Sequence, residues 1–128
     1  MSDKFTVEII SPDGSILKSE ATEVTIPSYE GQMGILKDHI SLITFLRPGL
    51  ISIKNQEEKK YFIQEGTVEF SNNNLLILTS TAKDLSSLDK NFVDTFIEQA
   101  QKKINNPEIT DKERYLLSHK IDTLREIS

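Results

Sequence analysis

The chain has 128 residues, of which 37% are hydrophobic and 27% charged, with a formal net charge of −5 and no cysteine. That length suits one core, or one core with a small appendage. The acidic balance argues against broad nucleic-acid binding, whose affinity comes from Lys and Arg on phosphates, and the lack of cysteine excludes a disulfide scaffold, a zinc–thiolate site and a cysteine nucleophile.

Residues 1–85 read as an all-β unit that changes direction every few residues. Phe5, Val7 and Ile9 alternate with polar residues, as on a half-buried strand. Pro12-Asp13-Gly14 is a turn, because proline presets φ and Asp and Gly tolerate the bend. Val24-Thr25-Ile26 alternates again. Gly31-Gln32-Met33-Gly34 reads as a turn, with Tyr29, Glu30, Gln32 and Met33 at an exposed tip. Leu50–Ile53 and Tyr61–Ile63 flank a polar hairpin tip at Asn55–Lys60, and Ser71–Asn74 forms another turn. Leu75–Thr79 is nearly continuous in apolar residues and predicts a strand buried on both faces.

The period then switches, so that residues 86–128 read as an antiparallel hairpin of two helices. Phe92, Val93, Phe96, Ile97, Ala100 and Ile104 recur at spacings of three and four. Ser86 or Ser87 is the expected cap, with Asp89 complementing the positive helix end. Asn105-Asn106-Pro107 breaks the helix. Thr110-Asp111-Lys112-Glu113 has the spacing of a capping box, and Leu117, Ile121 and Leu124 form a second stripe. Such a hairpin holds too little apolar surface to stand alone and must borrow packing from the sandwich or a partner. The fold class is therefore mainly β with a C-terminal α hairpin.

Several constellations have bland readings. Asp38, His39 and Ser41 contain the residue types of a hydrolase triad, but catalytic groups converge from separate elements, so a histidine that ties down its loop is the better reading. Gly31-Gln32-Met33-Gly34 lacks the Gly-Lys-Ser or Gly-Lys-Thr of a phosphate loop, and a strand follows it. Two histidines, His39 and His119, sit in different elements and predict no metal site. The basic residues of the helices are interleaved with acids, as on a solvated face.

Pro27, Gly31, Gly34, Ile35, Leu36 and His39, closed by Gly49, resemble the Gly-x-x-Gly-Ile-Leu-Pro-Gly-His block of the epsilon subunit of F-type ATP synthases. Lys37-Asp38 stands where that family usually has Pro-Gly, and Ser41 where a second proline is usual, which predicts a differently built turn before the histidine. Glu65–Phe70 is a weaker echo, and the layout of strands followed by two helices agrees along the whole chain.

The resemblance implies a non-catalytic rotor subunit of the central stalk, with no cofactor. The sandwich would meet the γ subunit through His39, Ser41 and Leu42, and the polar loops of the c-ring through Tyr29, Glu30, Gln32 and Met33. The hairpin would regulate, with Arg114, Lys120 and Arg125 meeting the β subunit when extended and inhibiting hydrolysis weakly. Some relatives bind ATP through Ile or Leu, Asp, two variable residues, Arg and Ala. Here Leu88 and Asp89 match, but Phe92 and Val93 replace the Arg and Ala, and phenylalanine offers phosphate no donor. The expectations are weak or no ATP binding, a monomer when isolated, no nucleic acid and no direct membrane insertion. The N-terminus carries no signal-peptide core or Arg-rich transit segment. The expected place is the cytoplasmic side of the bacterial plasma membrane, held there by partners. A ligand-binding β-sandwich with a helical dimerisation appendage is the alternative.

Overall fold

The computed structural model describes residues 3–127. Ten strands form one continuous sheet that folds into two layers. They are β1 (Phe5–Ser11), β2 (Gly14–Ala21), β3 (Glu23–Ser28), β4 (Gly31–Leu36), β5 (Leu42–Leu46), β6 (Gly49–Lys54), β7 (Glu58–Ile63), β8 (Gly66–Ser71), β9 (Asn74–Thr79) and β10 (Ala82–Asp84). A 3-10 turn at Leu85–Ser87 leads to α1 (Lys90–Ile104) and α2 (Asp111–Ile127).

One layer runs β4-β3-β6-β7-β10 and the other β5-β8-β9-β1-β2, joined where Ser28 of β3 pairs Leu46 of β5. All pairings are antiparallel except that of β1 with β9. The turns follow from their residues. Asn72 and Asn73 both take positive φ, 52° and 60°, as a two-residue hairpin turn between Ser71 and Asn74 requires. Gly14, the first residue of β2, takes φ 128° directly after the Pro12-Asp13 turn, a conformation that glycine allows.

Alternation then sorts the side chains. Val7, Ile9, Val24, Ile26, Ile35, Leu46, Ile51, Ile63, Val68, Phe70, Leu75 and Ile77 point between the layers and are fully buried. Phe5 meets Phe70 edge to face, centroids 5.7 Å apart. β9 departs from the expected two-sided burial. Leu75 and Ile77 are buried, but Leu78 is 44% exposed on the outer surface, because none of the described residues covers that face of its layer.

The helices cover the outer face of the other layer. Phe62, whose neighbours Tyr61 and Ile63 point inward, packs outward with Leu50 against Leu88, Phe92, Val93, Phe96, Ile97, Leu124 and Ile127. The N-cap of α1 is Asp89, whose carboxylate accepts from the Phe92 amide at 2.7 Å. The serines expected there instead belong to the 3-10 turn, where Asp84 accepts from the Ser86 amide and hydroxyl. Those two bonds hold the Asp84 carboxyl below its usual range. At α2, the Glu113 amide donates to the Thr110 hydroxyl, which in turn donates to the Glu113 carboxylate. The hairpin is closed by Arg114, which donates to the Ile104 carbonyl at the end of α1, and by Lys120, whose ammonium lies 4.3 Å from the centre of the Phe96 ring.

Candidate functional site

The sandwich leaves one broad surface uncovered. On β5, Leu42, Thr44 and Leu46 turn inward, so Ile43 and Phe45 turn out and are 77% and 61% exposed. Register places Phe45 beside Thr67 and Thr67 beside Leu78, with Ile10 of β1 beyond. A hollow of about 550 Å³ runs between Phe45, Gly66, Thr67, Leu78 and Ile10. Glu8 and Glu69 share the surface. Exposed apolar side chains side by side on a sheet face mark a contact surface. This surface is not singled out by sequence reasoning, although its signal is present: β5 is apolar in both registers.

The segment of His39 borders it. Asp38 takes the left-handed conformation, φ 65°, that glycine usually supplies. Its amide donates to the Asn73 side-chain oxygen at 2.7 Å, and the Asn73 amide group donates back to its carboxylate at 2.9 Å. The His39 ring donates from Nδ1 to the Ile40 carbonyl at 2.7 Å, since a carbonyl can only accept, and stands edge-on to Phe70 with centroids 6.0 Å apart. Ile40, 79% exposed, projects beside it. Ser41 is exposed, whereas Leu42 is half-buried and packs on the core.

The tip expected at Gly31–Gly34 lies two residues earlier. Tyr29 and Glu30 make the two-residue turn between Ser28 and Gly31, and Gly31–Gly34 is already strand β4. The Ser28 hydroxyl closes the turn on the Gly31 carbonyl at 2.6 Å. Glu30 and Gln32 are exposed. Met33 is not; opposite Ile26, it packs against the main core. Tyr29 is engaged by the hairpin. It stacks on Tyr115 of α2 with centroids 5.8 Å apart, and the Tyr115 hydroxyl donates to the Tyr29 carbonyl at 3.4 Å. Burial, then Glu65 and Tyr115, pushes the Tyr29 phenol above its ordinary range.

That contact continues along α2. Tyr115 meets the His119 ring edge-on at 4.5 Å, and Arg47, in the β5–β6 connection, donates from Nη1 to His119 Nδ1 at 3.2 Å. The Thr123 hydroxyl donates to the His119 carbonyl at 2.8 Å and lies 3.5 Å from the Pro48 carbonyl. Burial, then Arg47, holds His119 below the usual imidazole range, with Asp122 opposing.

Of the basic residues assigned to regulation, Arg114 is spent on the end of α1, Arg125 is exposed, and Lys120 is half-buried over Phe96. Burial, then Lys103, lowers the Lys120 ammonium. At the start of α1, Leu88 packs into the second apolar cluster and the Asp89 carboxylate is occupied as a cap. Among the described residues no three His, Cys, Asp or Glu side chains are grouped to hold a metal, and no helix is long and apolar enough to cross a membrane.

Known proteins agree with this architecture along the whole chain. Residues 4–84 match the family described as ATP synthase, Delta/Epsilon chain, beta-sandwich domain. The chain is 45% identical over its whole length to the ATP synthase epsilon chain of Pelagibacter ubique (strain HTCC1062), all of which is covered. It is 34% identical to that of Desulfitobacterium hafniense (strain Y51), with 89% of this chain and 87% of the relative covered. Among solved structures, a chain of the Euglena gracilis mitochondrial ATP synthase OSCP/F1/c-ring assembly superposes with a TM-score of 0.81 at 22% identity, covering 98% of this chain and 82% of that one. A chain of the Tetrahymena thermophila mitochondrial ATP synthase central stalk and c-ring superposes with 0.64 at 17% identity, covering 95% and 92%. The chain belongs to the ATP synthase delta/epsilon family.

Proposed function

We propose that this chain is the epsilon-type rotor subunit of the central stalk of a proton-driven F-type ATP synthase, and that it performs no chemistry itself. Residues 1–85 serve as the docking body and residues 86–128 as the regulatory hairpin. The sandwich grips the γ subunit and seats on the c-ring, so that ring rotation passes to the shaft. The complex it joins lies at the bacterial plasma membrane, on the cytoplasmic side.

The observation that carries this reading is the uncovered surface of Ile43, Phe45 and Leu78 on the layer opposite the helices. Its burial against γ would remove water from side chains that gain nothing from exposure. His39 and Ser41 lie along its rim, with Ile40 as a further anchor, whereas Leu42 turns inward and supports the strand from the core side. Tyr29, Glu30 and Gln32 face the ring's polar loops, whereas Met33 supports that turn from beneath. Arg114, Lys120 and Arg125 reach the β subunit only when α2 extends away from α1 as well as from the sandwich, which requires Lys120 to quit the Phe96 ring and Arg114 the Ile104 carbonyl. The ligand-binding alternative has no comparable support.

The test adds the chain to an α/β/γ assembly lacking epsilon, with γ from a matched source, and reads binding and ATPase rate. The full chain and a truncation ending at Leu85 are both expected to bind, and only the full chain to slow hydrolysis, weakly. Failure of both folded forms to bind would overturn the rotor reading, and binding without slowing would remove the inhibitory role alone.

A further inference from the structure

We infer that docking of α2 on the sandwich is a pH-sensitive latch, closed by the hydrogen bond from Arg47 to His119 and opened when the His119 ring takes up a proton. The geometry sets the protonation state that docking requires. A guanidinium has donors only, so the His119 Nδ1 atom facing Arg47 Nη1 at 3.2 Å must offer its lone pair. The docked ring is therefore neutral, with its proton on Nε2. A proton added at Nδ1 removes the acceptor and sets two cations face to face.

The surroundings favour the neutral form. On α2 itself, the Tyr115 ring packs edge-on against the imidazole at 4.5 Å. From the sandwich come Arg47 and, behind Tyr115, Tyr29, whose own charged neighbour is Glu65. Asp122, one turn along α2, is the acid that opposes. Lys120 points away, onto Phe96 of α1. Partial burial adds to the cost of charging the ring and holds it below the usual imidazole range. Thr123 ties the same turn of α2 to the sandwich through the His119 and Pro48 carbonyls, so what happens at His119 acts where the helix is seated.

The sign follows from linkage. A released imidazole titrates near an ordinary value of about 6.5. Above that pH both docked and released rings are neutral, and the latch holds at full strength. As pH falls below it, the released ring gains its proton first. Release then becomes about tenfold more favourable per pH unit until the docked ring protonates too. Histidine is the side chain whose ordinary range lies in this window. The inference rests on the docked contact and not on the rotor reading, so either can fail alone.

The chain has no cysteine of its own, so Gln56→Cys and Lys112→Cys give a dye pair that reports the distance from α2 to the sandwich. Release is driven with urea from about pH 5 to about pH 8, with amide NMR resonances of β8 and β9 following the sandwich separately. In the native sequence the release constant is expected to rise about tenfold per pH unit below about 6.5. In His119→Gln, whose amide oxygen still accepts from Arg47, it is expected to be flat. A flat native profile, or the same slope in both, overturns the latch. Should His119→Gln fail to dock, ring-proton NMR on the unsubstituted chain decides. A His119 midpoint below about 6.5, rising towards it as urea frees the hairpin, supports the latch, and a midpoint at or above that value overturns it.

Discussion

Asp38 and Asn73 stand 35 residues apart in sequence and exchange two hydrogen bonds, amide to side-chain oxygen at 2.7 Å and side-chain amide to carboxylate at 2.9 Å. The pair explains how this chain builds the turn before His39 without the Pro-Gly usual in its family. Asp38 accepts a left-handed backbone at φ 65° because Asn73 satisfies both its amide and its carboxylate. Asn73 is itself held, since its carbonyl accepts from the Thr6 amide at 3.0 Å. The turn therefore depends on the β8–β9 hairpin. Asn73→Gly keeps the positive φ and removes the clamp, and should cost about 1–2 kcal/mol in urea unfolding. A double-mutant cycle with Asp38→Gly should return a coupling of about 1 kcal/mol. A coupling indistinguishable from zero would show that the two residues hold their turns independently.

The three glycines without a positive φ separate into two kinds. A Cβ on Gly66 would lie 2.6 Å from the Leu78 carbonyl oxygen in the paired strand, and one on Gly49 would lie 2.6 Å from Cβ of the Pro27 ring. Neither neighbour is the flexible end of a side chain, so Gly66→Ala and Gly49→Ala should each destabilise by about 1–3 kcal/mol. Gly34 has nothing within 4 Å of its added Cβ. Gly34→Ala should be neutral or stabilise by up to about 1 kcal/mol through the unfolded chain. Thermal unfolding of the three variants checks the order, and a Gly66→Ala as stable as Gly34→Ala would contradict the close approach.

How far these features can be read in advance depends on their range along the chain. Pro12-Asp13-Gly14, the Thr110 cap and the stripe from Phe92 to Ile104 are local, and each appears where its chemistry places it. The parallel pairing of β1 with β9 and the Ser28–Leu46 link between layers are not local, and no residue type announces them. The same limit hides Arg47 and His119, 72 positions apart. Alternation gives β5 two faces but does not say which one the helices cover, so Ile43 and Phe45 look like core until the layers are assembled. Met33 is misplaced for a subtler reason. Once the turn falls on Tyr29-Glu30, register sets Met33 opposite Ile26 and points it at the core.

Phe45 and Phe70 separate docking from folding. Phe45 is 61% exposed, while Phe70 is 1% exposed between Phe5 and His39. Phe45→Asp should leave stability within about 0.5 kcal/mol of the native value and weaken binding to a γ-containing assembly by at least about tenfold. Phe70→Ala should cost about 3–5 kcal/mol of folding stability. Urea titration and a sedimentation binding assay on the two variants read the contrast. Undiminished binding by Phe45→Asp would move the docking surface elsewhere.

Leu124 is the anchor of the hairpin, fully buried against Phe62 and Val93. Leu124→Ala should cost about 2–5 kcal/mol, and the loss should fall on the helices, because the core between the layers does not include this residue. Amide hydrogen exchange should show α1 and α2 losing protection while β8 and β9 keep theirs. Equal loss across both would mean that sandwich and hairpin unfold as one unit.

The start of α1 bears on nucleotide. The Asp89 carboxylate already accepts the Phe92 amide at 2.7 Å, and the side chain of Phe92 is packed against Phe96 with centroids 4.7 Å apart. Neither group is placed to receive a phosphate: one is an anion committed to a cap, and the other has no donor. Asp89→Ala should therefore weaken α1 by about 1 kcal/mol through the cap alone, with no change in any response to ATP. Phe92→Arg restores the missing fork but removes apolar packing from the second cluster, so it should loosen the hairpin before it gains affinity. Calorimetric titration of the native chain with ATP should show no saturable binding at micromolar concentrations. A dissociation constant in that range would mean that the nucleotide is held by residues other than Asp89 and Phe92.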